Sequence, residues 1–271
     1  MLRVALAALL SFSAVSSVSA QEVNISGSTS VARVMDVLAE QYNSNHSNTF
    51  IAVQGIGSTA GITLVEKGAT DIGMSSRYLT ERENGEHLDV FPIAYDGLAI
   101  VVNLANPVQD LSREQLFDIY KGKITNWKQV GGPDQRIAVV TREASSGTRS
   151  SFESLLGLTQ VINDRLVSDI NPTNLVVNSN SMVKTIVNNN PHAIGYISEG
   201  SVDRSIKAIT FEGVEATTKN IADGKYKLAR PFLLLHKKDD IDDDADKFIS
   251  FVLSREGQLL IQEYGYTPIK K

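Results

Sequence analysis

The ten-residue stretch TREASSGTRS, at positions 141–150, holds side chains well suited to binding a small anion. An apolar run that suits a buried strand precedes it and an amphipathic run follows, which predicts a turn that opens a helix. A helix N-terminus presents free N–H groups and the positive end of the helix dipole, and both attract anions. Ser145, Ser146 and Thr148 add short hydroxyl donors, and Arg142 adds a planar guanidinium that fits a tetrahedral oxyanion. Taken alone, however, the stretch is better explained as an ordinary helix cap.

The same order of strand, Ser/Thr turn and helix recurs along the chain. Residues 28–30 (Ser-Thr-Ser) follow one short strand pattern and Ser58 follows another, each ahead of a helical pattern. Residues 178–181 form a candidate fourth turn, and residues 75–77 (Ser-Ser-Arg) end a strand without a clear helix. In open α/β sheets such turns gather at the carboxyl ends of the strands, where ligands bind. The repetition therefore predicts a cage around a small oxyanion.

The first twenty residues are predicted to be a secretory signal peptide. Arg3 supplies its positive n-region, residues 4–15 its apolar core, and residues 18–20 (Val-Ser-Ala) a cleavage site before Gln21. The apolar run is too short to span a membrane. The chain has no cysteine, which excludes disulfides, thiolate chemistry and lipid attachment at the cleavage site. We therefore expect a periplasmic protein.

Charge and motif content exclude several functions. The formal net charge is −5, and it becomes −6 once Arg3 is removed with the signal peptide, so we expect no nucleic-acid partner. The four histidines are scattered, and the acidic run at 239–246 lacks the Gly and Glu positions of an EF-hand, so we expect no metal or cofactor. An anion must then be held by local dipoles and one or two placed cations.

Strand and helix patterns alternate along the mature chain, which predicts an α/β protein with largely parallel sheets. Three glycines at 55, 57 and 61 are one residue off the dinucleotide fingerprint, and no Lys-Ser/Thr pair completes a P-loop. Ser58 does not lie in the G-x-S-x-G elbow of hydrolases. Trp127, the sole tryptophan, is expected to be a packing residue.

Four motifs resemble those of the periplasmic phosphate-binding proteins of high-affinity phosphate ABC transporters. They are SGSTSV at 26–31, QGIGSTAG at 54–61, DIGMSSR at 71–77 and REASSGT at 142–148. The likeness spans almost the whole mature chain, and the ordered set is far more specific than any one motif. It implies a periplasmic binding protein type II-like fold, in which two α/β lobes joined by a two-strand hinge close on phosphate.

The resemblance also implies domain limits and ligands. Lobe I would comprise residues 21–100 and 226–271, and lobe II residues 101–225. Matched by motif, the phosphate-binding residues would be Thr29, Ser30, Ser58, Arg142, Ser146, Gly147 (through its backbone N–H) and Thr148, with Ser76 at a further family position. Our interpretation of the turns adds Ser28, Arg77, Asp96 and Ser145 as candidates. The implied function is phosphate binding by a monomer and delivery to the membrane permease of an ABC transporter, without catalysis.

One departure from the family concerns selectivity. Longer-chain members resembling this sequence place an Asp at the position of Ser76, where it accepts a hydrogen bond from protonated phosphate and excludes sulfate. A second family acid falls at Ala144, with Glu143 adjacent. Because an unmatched buried lone pair is costly, we expect another acceptor and hypothesise that it is Asp96. The competing interpretation of Asp96 is a turn residue that precedes a glycine.

The sequence leaves three kinds of alternative open, of which one, an adhesive or matrix protein, would need an exposed apolar patch. The missing Asp allows a binding protein for sulfate, molybdate or tungstate, which a competition assay would separate from a phosphate binder. A secreted phosphatase or phosphotransferase could use the same cage, but it needs a nucleophile with a base or a metal site, and no motif supplies one. Release of p-nitrophenol from its phosphate ester would favour the enzyme.

Overall fold

The computed structural model describes residues 21–163 and 165–269, so the predicted signal peptide lies outside the described residues. In the described part, the strands are β1 Gln21–Gly27, β2 Thr49–Gly55, β3 Ile72–Ser75, β4 Leu88–Val102, β5 Asp110–Leu111, β6 Ala138–Arg142, β7 Thr159–Ile162, β8 Arg165–Ser168, β9 Leu175–Val177, β10 Ala193–Ser198, β11 Lys207–Phe211, β12 Ala229–Lys237 and β13 Thr267–Pro268. The helices are α1 Thr29–Asn45, α2 Ser58–Glu66, α3 Arg113–Lys121, α4 Gly147–Leu156, α5 Asn180–Asn189, α6 Thr218–Ala222, α7 Asp243–Leu253 and α8 Arg255–Glu263. None of these described helices combines the length and apolar character of a membrane span.

Eleven of the described strands form one long sheet with two halves, and β7 and β8 form a separate two-stranded sheet. The first half-sheet has the order β2-β1-β3-β12-β4, in which β1 pairs in parallel with β2 and β3, and β12 runs antiparallel to β3 and β4. The second half-sheet continues from β4 as β4-β10-β6-β9, with β6 parallel to both β10 and β9. The alternation of strands and helices in both halves confirms the predicted α/β class. The expectation of largely parallel sheets is wrong, because the central strand β4 pairs antiparallel with β10, β11, β12 and β13.

Helix α1 shows how the apolar spacing in the sequence produces the packing of the first half-sheet. Val31, Val34, Leu38 and Tyr42, which the helical period places on one face, are all buried. They form one core with apolar residues of the strands and of helix α7, including Phe248. This burial fixes the helix against the sheet and thereby the position of its N-terminus.

The second half-sheet has its own core. Phe152 of α4 stacks on Tyr196 of β10, with ring centroids 3.8 Å apart, and both rings are buried with Tyr120 of α3. Trp127 is also fully buried in this core, and its indole N–H donates to the carbonyl of His192 at 2.9 Å. Trp127 is therefore the packing residue that the sequence predicted.

Strand β4 connects the two halves without a break. The Asp-Gly pair at 96–97 predicted an interruption, but the structure has one strand because β12 pairs with β4 through this segment. Ala94 packs in the core of the first half-sheet and Leu98 in that of the second; on β12, Phe232 lies in the first core, whereas Leu228, just before the strand, lies in the second. The chain thus crosses twice between the cores, at about 96 and 230, whereas the predicted lobe limits at 100 and 226 lie a few residues inside the second core.

The apolar spacing of residues 248–260 predicts one C-terminal helix, but the structure has two, α7 and α8. Ser254 ends α7 and also caps α8, since its side chain accepts from the N–H of Gly257 at 3.2 Å. Three residues of the acidic run, Asp243, Asp244 and Asp246, lie in the first turn of α7, where the helix dipole favours them.

Candidate anion-binding site

Four helices begin directly after parallel strands, as the repeated turns predicted. Helices α1 and α2 follow β1 and β2 in the first half-sheet, and α4 and α5 follow β6 and β9 in the second. Their N-caps are Ser28, Gly57, Ser146 and Ser179. Gly57 has a φ of 98°, a conformation that glycine adopts without strain. Helix N-termini from both half-sheets therefore point toward one region.

Side chains from these turns meet across the gap between the half-sheets. Ser30 Oγ of α1 lies 2.9 Å from Thr148 Oγ1 of α4, although 118 residues separate them. The N–H of Thr59 donates to the carbonyl of Ser145 at 3.2 Å. The two halves of the molecule are therefore in direct polar contact, which defines a closed conformation.

The centre of this contact is a group of hydroxyl side chains that we call the hydroxyl cluster: Ser30, Ser58, Ser76 and Thr148. Each is almost fully buried. Ser58 Oγ accepts from the N–H of Ser76 at 3.1 Å and lies 3.4 Å from Ser76 Oγ. Gly147 borders the cluster so closely that a Cβ there would lie 2.2 Å from Ser58 Oγ. Buried hydroxyls at helix N-termini form a site rich in donors for an anion.

Arg142 reaches the hydroxyl cluster through Asn180. It is fully buried, and its guanidinium donates to Thr29 Oγ1 at 3.3 Å and to Asn180 Oδ1 at 3.2 Å. Asn180 in turn donates to Ser30 Oγ at 3.0 Å. The carboxylate of Glu143 pairs with Arg142 at 3.1 Å through both oxygens. Asn180, the first residue of α5, lies within the fourth predicted turn, but the sequence analysis did not propose it as a site residue.

A second buried arginine, Arg230, contacts the hydroxyl cluster directly. It is 2% exposed, and it donates to Thr148 Oγ1 at 2.8 Å and to Ser30 Oγ at 3.1 Å. Its Nε and Nη2 also donate to Asp96 Oδ2, at 2.9 and 2.8 Å. Sequence reasoning missed Arg230, and the available signal was a single charge at the start of an apolar strand.

The Asp96 carboxylate pairs with Arg230 and has no hydrogen bond to the hydroxyl cluster among the described residues. Its Oδ2 faces Arg230, and its Oδ1 accepts from Ser198 Oγ at 2.9 Å and from the N–H of Glu199 at 3.2 Å. Burial raises the pKa of Asp96, and the charge and hydrogen bonds of Arg230 oppose that rise. Protein donors therefore already occupy both oxygens of this carboxylate. This disfavours its hypothesised role as the acceptor of a hydrogen bond from protonated phosphate.

Comparison with known proteins identifies the family. A family model described as a PBP superfamily domain matches residues 13–256. The phosphate-binding protein PstS of Borreliella burgdorferi is 31% identical over 252 residues, covering 92% of this chain and 90% of the relative. The chain belongs to the phosphate-binding protein family. The family expected from the four motifs is therefore confirmed.

Solved structures of family members agree with this assignment. An ABC-type phosphate transport receptor from Vibrio cholerae is 63% identical with a TM-score of 0.78, covering 91% of this chain and all of that one. A putative phosphate ABC transporter substrate-binding protein with bound phosphate, from Clostridium perfringens, is 40% identical with a TM-score of 0.87, covering 92% of this chain and 100% of that one. These relatives are binding proteins and receptors, and they confirm the periplasmic binding protein fold.

Three candidate residues of this phosphate-binding-family chain have structural roles in the turns. Ser28 Oγ accepts from the N–H groups of Ser30 and Val31, at 3.2 and 3.3 Å, and thus caps α1. Ser146 caps α4, and Ser145 contacts the opposite half through its carbonyl. The cap interpretation holds for Ser28 and Ser146, although each hydroxyl retains a hydrogen that it can donate.

Arg77 has no hydrogen bond from its side chain to the hydroxyl cluster among the described residues. Its guanidinium forms two 2.7 Å hydrogen bonds to Glu83, and it donates to the carbonyl of Tyr78 at 3.0 Å and to Thr59 Oγ1, beside Ser58, at 3.2 Å. Burial tends to raise the pKa of Glu83, but hydrogen bonds from Arg77 and Thr80 and the charge of Arg77 outweigh it, so the pKa falls to about 2. Arg77 therefore anchors the loop after β3.

We expect Arg77→Met to change stability but not anion affinity. Glu83 stabilises the fold above its unfolded pKa of 4.5, and that contribution is lost as pH falls toward 2. Because Glu83 is partly solvated, the loss in the variant should be only about 1 kcal/mol at pH 7. Urea denaturation at pH 7 and pH 3 measures it, and a phosphate affinity more than a few-fold weaker would instead place Arg77 in the site.

Glu199 should make folding stability depend on pH in the opposite direction to Glu83. Burial, and then the charge of Asp96, raises its pKa from 4.5 to about 7, and its Oε2 has no hydrogen-bond partner among the described residues. The contribution of protonated Glu199 to the free energy of unfolding is fully present below pH 4.5 and is lost as pH rises through 7. Glu199→Gln should therefore be more stable than the wild type by about 2 kcal/mol at pH 8, after allowance for solvent screening, and no more stable at pH 4.5. Equal denaturation midpoints at pH 8 would contradict this.

Proposed function

We propose that this protein binds inorganic phosphate outside the cytoplasm and delivers it to the membrane permease of an ABC-type phosphate transporter. The observation that carries the proposal is the buried hydroxyl cluster, to which both halves of the molecule contribute beside the guanidinium of Arg142. Relatives with the same overall fold are named phosphate-binding proteins or receptors, and one of their structures contains phosphate. Their names describe binding rather than catalysis, which supports a receptor over a phosphatase.

Binding would use neutral donors and fixed positive charge together. The hydroxyls of Ser30, Ser58 and Thr148 can rotate to donate to phosphate oxygens, and the backbone N–H of Gly147 lies in the first turn of α4, where the helix dipole favours an anion. Arg142 adds a charge-assisted donor to the same region. Inside a closed site with little water, each of these bonds is stronger than at the surface.

Closure would occur at the segments of β4 and β12 that cross between the two cores. We take the first half-sheet with its helices as lobe I and the second as lobe II, with the crossings near 96 and 230 as the hinge. The direct contacts between the halves, such as Ser30 Oγ to Thr148 Oγ1 at 2.9 Å, enclose the hydroxyl cluster and support the closed form as the ligand-holding state, which the permease would recognise and open.

Export is proposed from the N-terminal pattern at residues 1–20. A positive residue, an apolar run and a small-residue site in that order are typical of a cleaved signal peptide. N-terminal sequencing of the protein recovered from the periplasmic fraction should begin at Gln21. Recovery of the uncleaved chain from the cytoplasm would contradict this part of the proposal.

Isothermal titration with phosphate, followed by competition with sulfate, molybdate and tungstate, tests the function. We expect one phosphate per chain and at least tenfold weaker binding of each competitor. Equal or tighter binding of sulfate, molybdate or tungstate would favour the alternative oxyanion. Turnover of p-nitrophenyl phosphate above a protein-free blank would favour the enzyme.

A further inference from the structure

We propose that Arg230 is a direct ligand of the bound anion and that Asp96 is a positioning residue that holds Arg230 in place. This inference rests on the proposed phosphate binding. It assigns the second cation of the site to the hinge strand β12, far in sequence from the motifs that carry the family resemblance.

The contacts of Arg230 place it closer to the hydroxyl cluster than Arg142. Two of its nitrogens donate to Thr148 Oγ1 and to Ser30 Oγ, which belong to opposite lobes, and Nη1 lies 3.4 Å from the carbonyl of Ser76. Arg142 instead reaches Ser30 through Asn180. An anion oxygen among these hydroxyls would therefore lie within reach of the Arg230 fork, because the hydroxyls already do.

The charges around the site support a second cationic ligand. Burial lowers the pKa of Arg230, Asp96 raises it, and the positive charge of Arg142 lowers it again, so the two guanidiniums act on each other in the buried region. Each has one carboxylate partner, Glu143 for Arg142 and Asp96 for Arg230. An anion held between the two arginines would relieve their mutual repulsion and interact with both.

The contacts of Asp96 favour positioning over proton acceptance. A carboxylate offers about four lone-pair sites, and Asp96 receives two donors from Arg230, one from Ser198 and one from the backbone of Glu199. Asp96 and Arg230 are also cross-strand partners at the hinge, which fixes the ion pair where the lobes join. A proton of phosphate would have to displace a charge-assisted bond to reach this carboxylate.

The test measures phosphate and sulfate affinity for Arg230→Met, Asp96→Asn and the double variant by calorimetry. Loss of a charged hydrogen-bonding ligand predicts roughly 100-fold weaker phosphate binding by Arg230→Met. If Asp96 acts through Arg230, Asp96→Asn weakens phosphate and sulfate by the same factor and leaves their ratio unchanged. The double variant should bind no better than Arg230→Met.

Controls separate this inference from folding and from the proposed function. The double variant replaces a buried ion pair by neutral groups, which proteins commonly tolerate, so it carries the test if Arg230→Met does not fold. Arg113→Met is the control, since it removes an arginine of α3 that donates to the carbonyl of Leu155 and has no hydrogen bond to the hydroxyl cluster among the described residues. Wild-type phosphate affinity in Arg230→Met or in the double variant overturns the role of Arg230. A changed phosphate-to-sulfate ratio in Asp96→Asn overturns the positioning role, whereas a wild-type protein that binds no phosphate refutes the proposed function itself.

Discussion

Arg142→Ala should weaken phosphate binding by about 100-fold to 1,000-fold, as measured by isothermal titration. Arg142 is fully buried at the start of the turn into α4, and its side chain connects Thr29 and Asn180 from opposite lobes. Removing it takes a positive charge from the closed site, so buried phosphate is less compensated. It also leaves the amide oxygen of Asn180 without this donor, which loosens the contact between the lobes.

The Arg142→Ala result needs a control for folding. Because Glu143 is partly exposed, its carboxylate can be hydrated after the arginine is lost, so the variant should remain folded although less stable. Arg142→Lys keeps the charge but not the planar fork, and it should bind phosphate with intermediate affinity. A folded Arg142→Ala protein with nearly wild-type affinity would exclude Arg142 from the site.

Gly147→Ala should prevent full closure and reduce phosphate affinity by about tenfold to 100-fold. A Cβ at this position would lie 2.2 Å from Ser58 Oγ and 2.7 Å from Ser76 Oγ, both in the opposite lobe. Rotation of the Ser58 hydroxyl would break its 3.1 Å hydrogen bond from the N–H of Ser76 and would still leave Ser58 Cβ only 2.9 Å from the new Cβ. The variant must therefore lose part of the hydroxyl cluster or hold the lobes apart.

The same substitution should not destabilise lobe II by itself. Alanine is a better helix former than glycine by up to about 1 kcal/mol, and position 147 is in the first turn of α4. Small-angle scattering with and without phosphate should show a smaller ligand-induced compaction for Gly147→Ala than for the wild type. Ser154→Ala, an exposed change on the same helix, is the control and should close normally. Unaltered compaction and affinity in Gly147→Ala would contradict the steric argument.

The sequence by itself determined the buried helix face, the helix starts and the family. The helical spacing of Val31, Val34, Leu38 and Tyr42 predicted the buried face of α1, and the Ser/Thr turns predicted where α1, α2 and α4 begin. These features depend on residues within a turn or two of each other, so they can be recognised from the sequence alone. The four motifs, taken as an ordered set, then predicted the family, because the set is far more specific than any one motif.

The sequence did not predict some contacts that compete with its local signals. The Asp-Gly pair at 96–97 is typical of a turn, yet the pairing of β4 with β12 draws it into a continuous strand. Arg77 follows a serine pair at a strand end, as a site residue would, but Glu83 lies near enough to take both ends of its guanidinium.

Only the tertiary structure decided which charged groups surround the hydroxyl cluster. Arg230 faces Asp96 because β12 pairs with β4 in one particular register, and it reaches Ser30 from a position 200 residues away. Asn180 reaches the same hydroxyl from a different lobe. No spacing along the chain encodes such contacts, since they arise from the register of the hinge strands and the closure of two separately packed lobes.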